Sequence, residues 1–429
     1  MIGSMTRAGG DGAAATGRAR RARMRAGTVL AALAPAVLLA GCAGGGAPPS
    51  PTPDAAPATS TAPPAPPTGE ELVRAVALDR LDAMTVEQRI ASMLMVHVPG
   101  TDGAAIGRAA ADWGVGGLIL MGDNVAGSEA DVAAMLAAAQ PDPGLPLLTG
   151  IDEEGGIVTR LPGDVWPAGA ELAAAGPDAT RAAFASRGKL VASAGVAINF
   201  GVVADVTDDP ASFIYDRVLG FTPEQAAANV TAAVQGEASS VMTTLKHFPG
   251  HGAVAGDTHV SIPHTPMGLD EWRATDALPF VAGIDAGAEL VMTTHVVYDA
   301  VDAVPASLSA TWQSELRDSL GFDGVIVSDD MLMLQHSGVP EYADPVANAV
   351  AAVGAGTDLL LYVLPADPNE LGADPRALTA GIAAAVADGR IAQDEVDDSA
   401  LRLLELRLGL VDPGALASQC DDECAARVR

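Results

Sequence analysis

From about residue 88 the chain alternates, with little interruption, between short β-branched or apolar runs and Ala-rich stretches of helical period. The runs are "MLMVHV", "GGLILM", "PLLTGID", "VAINFGVVAD", "VMTTLKH", "ELVMTTHVV", "GVIVSDD" and "TDLLLYVL". Each is followed by a helical stretch, among them "AAIGRAAADWG", "PEQAAANVTAAVQGEAS" and "PVANAVAAVGAG", and several of these stop on Gly. Eight such units predict an α/β fold, a single-domain (β/α)8 TIM barrel, with an open doubly wound sheet as the alternative. A barrel makes a further demand: polar residues at strand C-termini must face one common mouth. Asp152 and Glu153 follow the third run, Lys246 and His247 the fifth, His295 the sixth, and Asp329 and Asp330 the seventh. Charges at the ends of buried strands are costly unless something at the mouth uses them.

Composition allows such a barrel and narrows its partners. The 429 residues are 49% hydrophobic but only 3% aromatic, so the core is expected to be built from Ala, Val and Leu. The net charge of −30 repels nucleic acid and anionic headgroups. The N-terminus reads as separate from the fold. Arg18, Arg20, Arg21, Arg23 and Arg25 precede a short apolar run, "TVLAALAPAVLLAGC", the pattern of a secretory signal over residues 1–41. Its end, "LAGC", resembles the lipidation site of bacterial lipoproteins, which makes Cys42 the expected acylated residue. The Pro/Ala/Thr-rich residues 42–69 then read as a tether, residues 70–412 as the barrel, and residues 413–429 as a C-terminal tail. Cys420 and Cys424 sit in that tail and could pair in an oxidising compartment.

The densest chemistry lies in "LKHFPGHGAVAGDTH", residues 245–259. Three of the seven histidines, His247, His251 and His259, and one of only two lysines, Lys246, fall here. His247 and His251 have the spacing of a helical metal pair, but Pro249 and Gly250 between them break any helix, so no metal is expected. Asp257 and His259 are better explained. Two residues apart in an extended loop, their side chains would point the same way. The carboxylate could fix one ring nitrogen while the other moves protons. An imidazole with an ordinary pKa of about 6.5 suits both halves of acid–base work.

"KHFPGHG" followed by "DTH" resembles the signature of glycoside hydrolase family 3, in particular its single-domain β-N-acetylglucosaminidases. "IDEEGGIVTR", "YDRVLG", "VMTTH", "PASLS" and "GFDGVIVSDDMLM" carry the resemblance over roughly residues 80–410. It implies a retaining hydrolase with Asp329 as nucleophile (Asp330 being the neighbouring alternative), His259 as general acid/base and Asp257 as its partner. It also implies that Asp152, Arg160, Arg217, Lys246 and His247 bind the hydroxyls of the terminal sugar, and that no cofactor is needed. Glu153 and Ile157 stand where the family usually has Gln and Arg, which bears on the sugar-distal subsites. With the expected anchor, the resemblance implies an extracytoplasmic, monomeric enzyme that removes terminal GlcNAc from cell-wall fragments and touches the membrane only through its lipid. A phosphorylase, a β-glucosidase and a catalytically silent sugar-binding lipoprotein are the rivals; His251 is the reserve acid/base. The anchor is checked by fractionation: Cys42→Ser is expected to move the protein from the membrane to the soluble fraction, and continued membrane association removes the anchor.

Overall fold

The computed structural model describes residues 68–427. The signal segment, Cys42 and the tether up to residue 67 lie outside the described residues. The first described helix starts one residue before the sequence boundary. Thr68 caps the helix Gly69–Ala83, its hydroxyl accepting from Glu71 N at 3.2 Å while the Glu71 carboxylate accepts from Thr68 N at 2.7 Å.

All eight predicted runs are strands of one parallel sheet: β1 Leu94–Val96, β2 Gly117–Leu120, β3 Leu148–Ile151, β4 Ile198–Val203, β5 Met242–Phe248, β6 Leu290–Thr293, β7 Val325–Ser328 and β8 Leu360–Tyr362. Neighbours pair in chain order from β1 to β7, and β8 pairs with β1 through Leu94↔Leu360. A Val327↔Leu359 bridge, with Ser328 N donating to Leu359 O at 2.9 Å, joins β7 to β8 and closes the (β/α)8 barrel. Helices cover the outside and side chains fill the inside, so the strands are buried on both faces and read as unbroken apolar runs. Gly150 is required inside the barrel, because a Cβ there would lie 2.5 Å from the Phe200 ring.

The two ends of the described residues pack together. Leu404 and Leu408 of the helix Gln393–Gly409 bury against Val76 and Leu81 of Gly69–Ala83. The segment after residue 412 joins them rather than trailing as a polar tail. It forms helices Pro413–Ala417 and Asp422–Ala426, buries Leu416 and Cys424 in the same cluster, and carries a Cys420–Cys424 disulfide. Arg427 then reaches Asp82 at 2.7 Å.

Although the core is largely aliphatic, the scarce aromatic residues are concentrated behind β5 and β6. Trp272 and Trp312 pack 4.9 Å apart, with Tyr298, Phe248 and Phe280 around them. This cluster holds the start of the histidine loop: Trp272 Nε1 donates to Pro249 O at 2.7 Å and the Tyr298 hydroxyl to Gly250 O at 2.6 Å. Beyond the loop, a parallel pair of two-residue strands, His264–Thr265 and Val297–Tyr298, fixes its far end. Trp272→Ala is expected to cost about 3–5 kcal/mol, read as a lower urea midpoint, and to lower kcat/KM as the loop base loosens. Unchanged values of both would remove this supporting role.

Candidate active site

Loops at the C-terminal ends of β3, β4, β5 and β7 surround a cavity of about 340 Å³. Asp152, Arg160, Arg217, Lys246, His247, His259 and Asp329 all line it. Asp257 stands behind His259. The fold therefore brings together every residue that the sequence singled out as a candidate for catalysis or sugar binding.

The floor is an ion network centred on a buried lysine. Lys246 Nζ lies 2.8 Å from Asp152 and 2.6 Å from Glu154. Arg217 grips Glu154 with two hydrogen bonds of 2.8 and 2.7 Å and donates to His247 Nε2 at 3.3 Å. With Nε2 accepting, His247 donates from Nδ1 to Asp205 at 2.7 Å. Asp205 also accepts from His251 N at 2.6 Å. Lys246 and His247 both face the cavity although they are consecutive; the peptide bond between them is cis, and the β5–β6 register shifts between Leu245 and Phe248. Burial alone would raise the Glu154 carboxyl, but Lys246 and Arg217 hold it far below the usual carboxylate range. Burial would likewise raise Asp205, and His247 with the His251 amide outweighs it. Burial would lower the Lys246 ammonium, which Asp152 and Glu154 instead raise.

Glu154, Asp205 and Phe213 were absent from the sequence-derived site. Asp205 ends the fourth run and obeys the same strand-end rule as the others. Glu154 follows from parity: at period two it shares a face with Asp152, and Glu153 points away. Glu153 is accordingly not at the mouth. It is buried behind the loop, where its Oε2 accepts from Arg160 N and Leu161 N at 3.0 and 2.9 Å. Burial pushes it up to about 7. His295 is also set back from the cavity, with Nδ1 on Ser307 Oγ at 2.7 Å and Nε2 on Asp330 O at 3.0 Å.

Asp329 and Asp330 differ sharply. Asp330 Oδ1 accepts from Leu332 N and Val363 N at 3.1 and 2.9 Å, and burial pushes its carboxyl up to about 7. Asp329 is held by one backbone bond, from Asp330 N at 2.8 Å. Burial would raise Asp329 as well, but His247, His295 and that amide lower it. Asp329 and Asp330 both line the cavity, and of the two it is Asp329 whose surroundings favour the ionised form.

His259 sits in a turn, not an extended segment. Asp257 Oδ1 accepts both His259 N at 2.9 Å and His259 Nδ1 at 2.7 Å, so the turn itself brings carboxylate and ring together. Partial burial would raise Asp257, and its bonds to His259 lower it instead. His259 Nε2 has no hydrogen-bond partner among the described residues. The Phe213 ring meets the His259 ring edge-on at 5.5 Å. His251 is buried beneath, bonded to Thr258 Oγ1 at 3.1 Å, and desolvation drives it down to about 4. It does not line the cavity.

Residues 85–406 match the model of the glycosyl hydrolase family 3 N-terminal domain. The chain belongs to glycosyl hydrolase family 3. It is a glycoside hydrolase. A β-hexosaminidase of Methylococcus capsulatus is 39% identical over 261 residues, 57% of this chain and 75% of that one. The structure of a family 3 β-N-acetylglucosaminidase from a Paenibacillus strain superposes with a TM-score of 0.69 at 31% identity, covering 80% of this chain and 68% of its own. A β-N-acetylhexosaminidase from Beutenbergia cavernae gives 0.65 at 32% identity, covering 76% of this chain and 98% of its own.

Glu154→Gln tests the network. Removing one charge leaves Lys246 and Arg217 under-compensated, at an expected cost of about 3–5 kcal/mol at pH 7. Because folding lowers the Glu154 pKa, its contribution is present above the unfolded carboxyl pKa of about 4.3 and is lost as pH falls through the folded value. The gap between parent and variant is therefore expected to narrow below pH 4, measured by urea unfolding; a pH-independent gap counts against the ion network.

Proposed function

We propose that the chain is a retaining exo-β-N-acetylglucosaminidase acting on GlcNAc-terminated cell-wall fragments, with Asp329 as nucleophile and His259 as acid/base. The observation that carries this reading is one small cavity lined by both an ionised carboxylate and an imidazole whose Nδ1 is held by Asp257. The Asp329 carboxylate attacks the anomeric carbon as the bond to the leaving oxygen breaks, and protonated His259 gives its Nε2 proton to that oxygen. Neutral His259 then takes a proton from water, which attacks the same carbon and releases Asp329. Asp257 keeps Nδ1 protonated throughout and stabilises the imidazolium. Lys246, Arg160, Arg217, Asp152 and His247 supply the donors and acceptors that a sugar's hydroxyls require.

The names of the similar proteins support β-linked GlcNAc as the sugar. The expected lipid anchor on Cys42, on the outer face of the membrane, supports cell-wall fragments as its source. A 2-deoxy-2-fluoro or 5-fluoro donor is expected to label Asp329 in the peptide "VIVSDDMLM", and a label on Asp330 overturns the assignment. His259→Ala is expected to slow natural disaccharides by about 10²–10⁴-fold but activated aryl glycosides far less, with partial rescue by azide. Uniform losses without rescue would make His259 a structural residue. Release of a GlcNAc phosphate when phosphate is added would make the enzyme a phosphorylase.

A further inference from the structure

The acidic surface of this protein exposes few large apolar side chains, and their distribution is uneven. Six are exposed among the described residues: Ile157, Val165, Phe213, Val260, Val281 and Leu410. Ile157 and Phe213 line the cavity, and Val260 directly follows the cavity residue His259. Ile157 is 71% and Val260 68% exposed. Ile157 is not displayed by a loose segment. Ile157 tips a tight turn closed by Glu154 N and Gly155 N, which both donate to Val158 O at 3.1 Å. Gly155 there has φ 82°, and a Cβ on it would lie 2.1 Å from Arg187 Nη2. Phe213 is fastened to the histidine loop by its N–H to Ala255 O at 3.3 Å, and its ring lies between His259 and the Arg217 guanidinium, 5.5 and 5.7 Å away.

Proton transfer determines what these side chains meet. The glycosidic oxygen must come within about 2.6–3.2 Å of His259 Nε2. The leaving group is one bond beyond that oxygen, so it lies against the surroundings of His259. Those surroundings include the Phe213 ring, with Ile157 on the same cavity rim and exposed Val260 next to His259 in the chain. The cations close to them are already paired, Arg217 with Glu154 and Arg160 with Asp152 at 3.7 Å, whereas the exposed charges on the loop that bears Phe213, Asp208, Asp209 and Asp216, are acidic. We propose that Ile157, Phe213 and Val260 form the aglycone-binding collar, and that it selects leaving groups presenting an uncharged, apolar face over anionic ones. This rests on the β-N-acetylglucosaminidase reading and specifies its second substrate half. In a cell-wall fragment the collar reads the ring next to the scissile bond, and ionised peptide carboxylates gain nothing from it.

The experiment uses three β-GlcNAc donors: the 4-methylphenyl glycoside, the 4-carboxyphenyl glycoside and the glycosyl fluoride, whose leaving group is a single atom. The carboxylate-bearing phenol is no poorer a leaving group than the methyl one, so chemistry alone does not favour the methyl compound. The parent enzyme is expected to show a kcat/KM about tenfold higher for 4-methylphenyl than for 4-carboxyphenyl. In Ile157→Ser and in Val260→Ser, exposed positions where folding is preserved, the ratio of 4-methylphenyl to fluoride kcat/KM is expected to fall about tenfold. Equal or faster turnover of the carboxyphenyl donor, or an unchanged ratio in both variants, overturns the collar while leaving the glycosidase reading intact. Failure to turn over any of the three donors overturns both.

Discussion

The Lys246 ammonium, taken out of water and shared between Asp152 and Glu154, is the interaction on which the cavity depends. A buried charge costs several kcal/mol, and only close opposite charges with further hydrogen bonds offset it. This chain carries two lysines and a net charge of −30, and one of the two is committed here. Its partners bind Arg217, which reaches His247, which in turn is oriented by Asp205. Each member is satisfied by the next, so the donors and acceptors facing the cavity are in place before a ligand arrives. A sugar ring, with hydroxyls on every side, is recognised by such a preorganised set at little ordering cost.

The same fold separates neighbouring carboxyls into opposite electrostatic states. Glu154 joins the cations and stays ionised, while Glu153 is turned behind the loop and pushed up to about 7. Asp329 faces the histidines and is lowered, while Asp330 is enclosed against the backbone of β8 and also pushed up to about 7. In the first pair adjacent side chains leave the strand end in different directions; in the second both line the cavity, and a few ångströms change the groups that surround each carboxyl. A glycosidase nucleophile must be ionised at neutral pH, and only one member of the β7 pair is placed to remain so.

The histidine loop combines a firm base with an open tip. Trp272 and Tyr298 hold its first carbonyls, and the strand pair at His264–Thr265 holds its exit. Between these anchors His259 is exposed and contacts the loop chiefly through the Asp257 turn and the Phe213 ring. An acid/base on such a support can serve both half-reactions from one side of the cavity. In the proposed mechanism, proton delivery and aglycone contact share a single rim.

The strand and helix order and the gathering of Asp152, Lys246, His247 and Asp329 at one mouth were legible in the sequence alone, while closure of the barrel over an open doubly wound sheet was decided by the pairing of β8 with β1 and β7. Periodicity records which faces are buried, and a charge at the end of an apolar run records where burial stops. The Glu153–Glu154 division was also written there, in the parity of a strand end. Other features had no local signature. Asp205 orients His247 from 42 residues away, Phe213 reaches His259 from the preceding strand loop, and the C-terminal helices pack on the first described one. Those contacts exist only after β4 and β5 pair and the barrel closes, because they join residues whose neighbours in the chain hold no trace of each other. The sequence by itself determined which chemistry the mouth would carry; tertiary structure decided which carboxylates remain charged, which histidine is exposed, and what surrounds it.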